Sequence, residues 1–285
     1  MQSFRYAIAD VFTDRPLAGN QLAVFTNAQK IPEHLLQQLA KEIGFSETVF
    51  CYPASGEGHA RIRIFTPASE VPFAGHPTLG TAFVLAAPLQ LGLIRLETGA
   101  GVVSVELERG PSGRIVFGRM SQPLPRIEHF ERENELLAAL ELEQSKYPVE
   151  LYDNGIRHVF VALASEAEVA ALAPDSKALA PFGFIGVNCF AGSGKNWKTR
   201  CFVGEFGISE DAATGSAAGP LALHLARHGV VPFGEEIEIR QGEEIGRPST
   251  LYARALGSAE SAEQIEVGGC AVVIARGEFA LPGNI

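Results

Sequence analysis

The sequence is poor in the features that mark several common classes of protein. Its four cysteines, Cys51, Cys189, Cys201 and Cys270, are scattered without C-x-x-C spacing. That excludes an evident zinc site or disulfide framework and fits a reducing, cytoplasmic setting. No basic run interrupts a formal net charge of -10. A broad nucleic-acid surface or an anionic-membrane patch, each of which needs clustered Lys and Arg, is therefore not expected. No apolar run approaches the length of a membrane span, and the N-terminus enters a strand-like pattern at once, without the basic region and apolar core of a leader. No G-x-G-x-x-G follows a strand, so no nicotinamide or flavin cofactor is implied. What remains is an ordinary globular composition, 46% apolar and 20% charged. The 285 residues suit two domains of roughly 140 residues each.

The chain is organised around one stretch and its copy. Glu70-Val71-Pro72-Phe73-Ala74-Gly75-His76-Pro77-Thr78-Leu79-Gly80 is echoed by Glu210-Asp211-Ala212-Ala213-Thr214-Gly215-Ser216-Ala217-Ala218-Gly219-Pro220. Each is preceded by Ser, reaches a Gly followed by a small polar or imidazole side chain, and runs into an apolar stretch of helical length. Two glycine turns thus open two helices, and the unpaired N–H groups of a helix start favour an anion. The surroundings repeat too. Arg200-x-Phe202 echoes Arg63-x-Phe65, and Ile237–Gly242 parallels Ile94–Gly99.

Alternation predicts strands over residues 4–12, 22–25, 45–51, 61–65, 94–98, 102–107, 114–117, 149–152 and 158–163. An amphipathic helix is expected over Pro32–Ile43 and a short helix over Ser165–Leu172, and a charged helix near Glu131–Leu142 is expected to bridge the halves. Thr78–Ala87, apolar all round and stopped by Pro88, reads as a buried helix, and Gly229 closes its counterpart. The expected fold is α+β: two similar domains, each a curved, mostly antiparallel sheet or barrel around its own apolar helix. The boundaries read as 1–120 and 147–271, with 121–146 as linker and 272–285 free to return to the first domain. The helix starts would face a shared cleft.

Glu47 shares a strand face with Phe45, Val49 and Cys51. Among apolar neighbours its pKa would rise toward the working pH of a general acid/base; the alternative is a surface glutamate on an edge strand. His76, at a positive helix end, would be held neutral and able to relay a proton, or would simply bond a carbonyl. Ser216 reads as a helix N-cap with a possible ligand contact, and Asp211 as a partner for His76 or a substrate amine across the cleft, or as a turn residue. Asn20 and Asn188 read as turn residues. Three motifs are declined. Gly192-Ser193-Gly194-Lys195-Asn196 lacks the first Gly and the final Ser or Thr of a phosphate loop and reads as a flexible loop. His224 and His228 have metal-ligand spacing, but Leu225 replaces the Glu of H-E-x-x-H and no third ligand is evident, so no metal is expected. Thr214-Gly215-Ser216-Ala217-Ala218 is not a nucleophile elbow.

Asp10-Val11-Phe12-Thr13, Gly19-Asn20, Glu47-Thr48, Phe65-Thr66-Pro67, Gly75-His76-Pro77-Thr78-Leu79, Glu210–Ala217 and Gly246-Arg247-Pro248-Ser249 resemble, in order along the chain, the PhzF (phenazine biosynthesis-like) family. The resemblance implies the diaminopimelate epimerase-like fold. It also implies a cofactor-independent isomerase acting on a small carboxylated metabolite; the type member isomerises trans-2,3-dihydro-3-hydroxyanthranilate by moving a proton from C3 to C1. Residue by residue it makes Glu47 the acid/base, with His76 and Asp211 as catalytic partners. It places Asn20, Gly75, Gly215 and Ser216 against the substrate, and a homodimer is implied. Gln21 stands where the family commonly has Pro. Epimerases of the fold carry a Cys before each glycine turn, where this chain has Ala74 and Thr214, so two-thiol racemisation is not expected. A thiol-free racemase using Glu47 and His76, and a silent ligand-binding member of the fold, are the competing readings.

Overall fold

The computed structural model describes residues 2–204, 208–258 and 260–281. Both apolar stretches form helices, Gly75–Leu89 and Gly215–Arg227. The first is buried from Gly75 to Val84 and again at Ala86, the second from Gly215 to Ala226. A helix without a polar face must be enclosed. Leu79 and Phe83 of the first and Leu221 and Leu225 of the second share one core with Val105, Met120, Ala253 and Val267.

The prolines in these helices act differently. Pro77 falls in the first turn, where its missing N–H has no intrahelical partner to lose. Pro88 does not stop the first helix as expected: the last turn continues to Leu89, and Gln90 ends it in a left-handed conformation, φ 54°. So near the end, proline costs the ladder a single bond. Pro220 lies deep in the second helix and leaves the Ser216 carbonyl without its usual donor. Asn154 Nδ2 donates to that carbonyl at 2.9 Å.

Around each helix the strands pair with the same alternation of senses. In the first half Gln2–Val11 is antiparallel to Asn20–Phe25, which is parallel to Glu47–Pro53. That strand is antiparallel to Ala60–Phe65, which is parallel to Leu93–Thr98. In the second half Glu150–Asp153, Arg157–Ala162, Ile185–Ser193, Asn196–Val203 and Ile237–Gln241 repeat the pattern. The registers coincide as well. Phe65 faces Thr48 on one side and Glu70 on the other, while Phe202 faces Val187 and Glu210. One residue further back, Glu47 is therefore matched by Gly186. Across the parallel neighbours, Leu22 is matched by His158.

The halves are stitched together. Arg126–His129, following the strands of the first half, pairs with Glu150–Asp153; Ala271–Leu281 pairs with Gln2–Val11; Ala262–Gly269 pairs with Ile115–Gln122. Residues 282–285 of the expected returning segment lie outside the described residues. The charged helix is shorter than expected, Glu133–Ala139, and is no bridge. Its Leu136 and Leu137 pack with Val149, Leu151 and Val159 in a second core belonging to the second half. Nor is Gly192–Asn196 a flexible loop. It is a tight hairpin in which Ser193 pairs with Asn196 and Gly194 takes φ 55°, a conformation that suits such turns.

Candidate active site

The two helix starts touch. A Cβ on Gly75 would lie 2.3 Å from the Gly215 carbonyl carbon, and one on Gly215 would lie 2.8 Å from the Phe12 ring. Glycine at both places is what permits the approach. Within the helices the first donors are Thr78, to the Ala74 carbonyl, and Ala217, to the Thr214 carbonyl. The N–H groups of Gly75, His76, Gly215 and Ser216 thus have no partner in their own helices. All four residues line a cavity of about 430 Å³, mouth included, together with Glu47, His158 and Asp211. Its floor is suited to an anion.

Glu47 opens its strand, and its side chain is 12% exposed, on the face of the buried Val49 and Cys51. Burial, and then the nearby Asp211 charge, push its pKa up to about 8, with only Ser46 opposing. Oε2 accepts no hydrogen bond among the described residues and stands 3.4 Å from His76 Nε2. Burial also raises Asp211, but two donors hold its carboxylate: Thr214 Oγ1 at 2.8 Å and Asn20 Nδ2 at 2.7 Å. In this pair of acids, the shared proton consequently rests on Glu47. Burial drives His76 down to about 3. Its contact with Glu47 is thus between neutral groups and is not an ion pair.

Asn20 is no turn residue. It opens the strand Asn20–Phe25, is 3% exposed, and ties the halves together. Its Nδ2 donates to Asp211 and to the Ala213 carbonyl at 3.0 Å and faces His76 Nδ1 at 3.1 Å; its Oδ1 accepts from Ser46 at 2.9 Å. Asp211 accordingly meets His76 through Asn20 and not directly.

Ser216 does not cap its helix. The helix begins at Gly215, which makes Thr214 the cap and starts the helix two residues too early for Ser216 to hold that position, and the Ser216 hydroxyl instead meets His158 Nε2 at 3.0 Å. His158 is 1% exposed, and burial lowers its pKa to about 3. Asn188, also misread as a turn residue, lies inside the strand Ile185–Ser193 and faces His158 Nδ1 at 3.3 Å. Sequence reasoning missed His158. Only the register match with the first half could have drawn attention to it.

At the far end of the second helix the declined histidine pair does acquire a third group. Glu150 Oε2 lies 3.3 Å from His224 Nδ1 and 3.0 Å from His228 Nε2. The same oxygen also accepts from Tyr152 and from Arg227, both at 2.9 Å. The Arg227 guanidinium already supplies the positive charge that a metal would bring to this carboxylate, and the cluster ties the helix end to the strand Glu150–Asp153.

The PhzC-PhzF family, described as phenazine biosynthesis-like protein, matches residues 9–277. The trans-2,3-dihydro-3-hydroxyanthranilate isomerase of Pseudomonas aeruginosa is 50% identical over 277 residues, covering 97% of this chain and 99% of that protein. The isomerase of the same name from Pseudomonas chlororaphis is 49% identical over 276 residues, covering 97% and 99%. Among solved structures, the PhzF-family phenazine biosynthesis protein of Bacillus anthracis superposes with a TM-score of 0.83 at 24% identity, covering 99% of this chain and 100% of that one. A hydroxyproline epimerase of Agrobacterium vitis shares the fold at a TM-score of 0.69 and 14% identity, covering 100% and 93%. The chain belongs to the phenazine biosynthesis-like protein family and is an isomerase of the PhzF type.

Proposed function

We propose that the substrate is a small cyclic carboxylate of the trans-2,3-dihydro-3-hydroxyanthranilate type and that Glu47 carries the migrating proton. The observation that bears most weight is the mismatch of the two walls: a buried, proton-holding carboxylate at Glu47 faces Gly186 at the matching place. A group whose pKa lies near neutrality can take a proton from one carbon and return it to another. The N–H groups of Gly75 and Gly215 and the Ser216 hydroxyl hold the substrate carboxylate. Asp211 and Asn20 keep His76 and Glu47 in place, and with Nδ1 facing the Asn20 amide, the Nε2–H of neutral His76 steadies Glu47 Oε2 when it ionises. The racemase alternative finds less support, because Glu47 and His76 stand 3.4 Å apart on one wall, whereas two-base racemisation needs groups on opposite faces of the stereocentre. No metal or cofactor enters this scheme.

The same reading divides the chain into domains 1–120 and 147–271 and sets it in the cytoplasm as a homodimer. The repeated strand registers and four free cysteines support the first two points, and the family resemblance alone supports the third. The test of function is to follow trans-2,3-dihydro-3-hydroxyanthranilate by ultraviolet absorbance in deuterated buffer, with wild type and Glu47→Gln. The wild type should change the spectrum, and the variant should turn over at least about 10²-fold more slowly with binding nearly intact. Wild-type rates in the variant would remove Glu47 from the mechanism. No spectral change in the wild type would remove this substrate.

A further inference from the structure

Facing Glu47 across the cavity is a unit with no counterpart in the first half. Where that half has Glu47 beside Leu22, the second has Gly186 beside His158. The glycine makes room: a Cβ at 186 would lie 2.5 Å from His158 Nδ1. Asn188, two residues on along the strand, fixes the ring's proton. Its Nδ2 donates to the Gly186 carbonyl at 3.0 Å and to the Val159 carbonyl at 3.3 Å, which sets the amide's orientation, because the flipped amide would turn its oxygen against two carbonyl oxygens. The same Nδ2 faces His158 Nδ1 at 3.3 Å, so Nδ1 is the bare acceptor and the proton sits on Nε2. Nε2–H then donates to Ser216 Oγ at 3.0 Å. That is the one hydrogen bond of the Ser216 hydroxyl among the described residues, and it leaves the hydroxyl's own hydrogen for the cavity.

We propose that His158 is a positioning residue that holds the Ser216 hydroxyl as a donor aimed into the cavity, so that this wall selects an acceptor oxygen on the substrate and moves no proton itself. Ser216 would otherwise choose between donating and accepting. With Nε2–H behind it, one of the two hydroxyl lone pairs is already taken, so an incoming N–H or ammonium meets an acceptor that is half engaged, while a carboxylate or carbonyl oxygen meets a fixed donor. The inference rests on the reading that the cavity takes a carboxylate, and its test has one arm that needs no ligand.

In that arm, the imidazole nitrogens of unliganded enzyme are followed by long-range proton–nitrogen NMR, with His158 assigned by its loss in His158→Gln. The expected spectrum is a neutral ring protonated at Nε2 from pH 5 to 8. A proton on Nδ1, or an imidazolium in that range, overturns the proposal. The second arm measures binding of 3-hydroxyanthranilate by calorimetry. Ser216→Ala and His158→Leu should each weaken it about tenfold, and the double variant should be no weaker than either alone. His158→Gln, whose amide N–H can replace Nε2–H, should stay within about threefold of wild type. Leu is already the residue at the matching place of the first half, and thermal melts check that each variant folds. Multiplying losses in the double variant, or a Gln variant as poor as the Leu variant, would reduce His158 to a packing residue and overturn the proposal. Failure of wild type to bind the ligand counts against the carboxylate reading, and the tautomer arm then decides His158 alone.

Discussion

Replacing Glu47 by Gln should make the protein more stable while abolishing its chemistry, and the gain should depend on pH. The unfolded chain ionises this side chain near 4.5, whereas the folded protein keeps the proton to about 8. Between those values the folded state binds more protons, so stability falls as pH rises, by about 1.4 kcal/mol per pH unit from this group. The penalty is absent below 4.5, is about 3 kcal/mol at pH 7 and levels off above 8. Gln has the size of the protonated acid and never ionises, so it escapes the penalty. The variant should match wild type near pH 4 and gain stability progressively up to pH 8. For a chain of this size that is of the order of 2 °C in Tm per kcal/mol. Melts of both proteins at pH 4, 5, 6, 7 and 8 test it, and a urea series at pH 7 gives the magnitude. A difference that does not change with pH, or a variant that is less stable throughout, would mean that the carboxylate is solvated or paired in the folded state. The raised-pKa account of the site would then fail. If it holds, stability and turnover move in opposite directions at a single residue, as expected where an active site stores an unfavourable charge.

Other expectations follow from the same geometry. Proton abstraction by ionised Glu47 should make kcat/KM rise about tenfold per pH unit up to about 8 and then level off; a profile flat from pH 6 to 8 would contradict it. Asp211→Asn removes the charge that helps to hold the Glu47 proton, so the midpoint of that profile should move to lower pH; an unmoved midpoint would leave burial as the whole cause. Asn154→Ala leaves the Ser216 carbonyl without a donor, because Pro220 has none to offer, and should cost about 1–3 kcal/mol by urea unfolding. A loss near zero would mean that water replaces the amide. Light scattering should give the mass of a dimer, and a monomer mass would refute that assignment.

Periodicity and punctuation made the two central helices, the repeat and the strand carrying Glu47 legible in the sequence, since each depends on residues close together in the chain. What escaped depends on contacts between distant segments. Asn20 and Asn188 read as turn residues because their neighbours are turn-like, yet both are buried donors whose partners include Asp211 and His158. Ser216 read as a cap because pattern alone cannot place a helix start to within two residues, and here two residues separate the cap, Thr214, from a cavity hydroxyl. Glu150 meets His224 and His228 only after its strand has been laid beside the end of the second helix.

A duplicated fold offers two matching walls, and an enzyme that inverts a stereocentre needs a base on each. Here the duplication is kept in the strand registers and abandoned in the chemistry. At the place of Glu47 the second half has Gly186, and His158, at the place of Leu22, fills the space. Burial holds His158 neutral, with its pKa near 3, and a proton taken up there would create a buried cation facing the amide nitrogen of Asn188. His158 therefore holds hydrogen bonds but does not hold charge. The opposite wall has a carboxyl that is protonated at rest and near enough to neutrality to ionise. On the proposed scheme a proton leaves and returns on the Glu47 side, to the face it left, so the site would move a hydrogen along one face of a ring and would not invert a centre. The chemistry proposed for Glu47 would then follow from the place where the two halves differ more than from what they share.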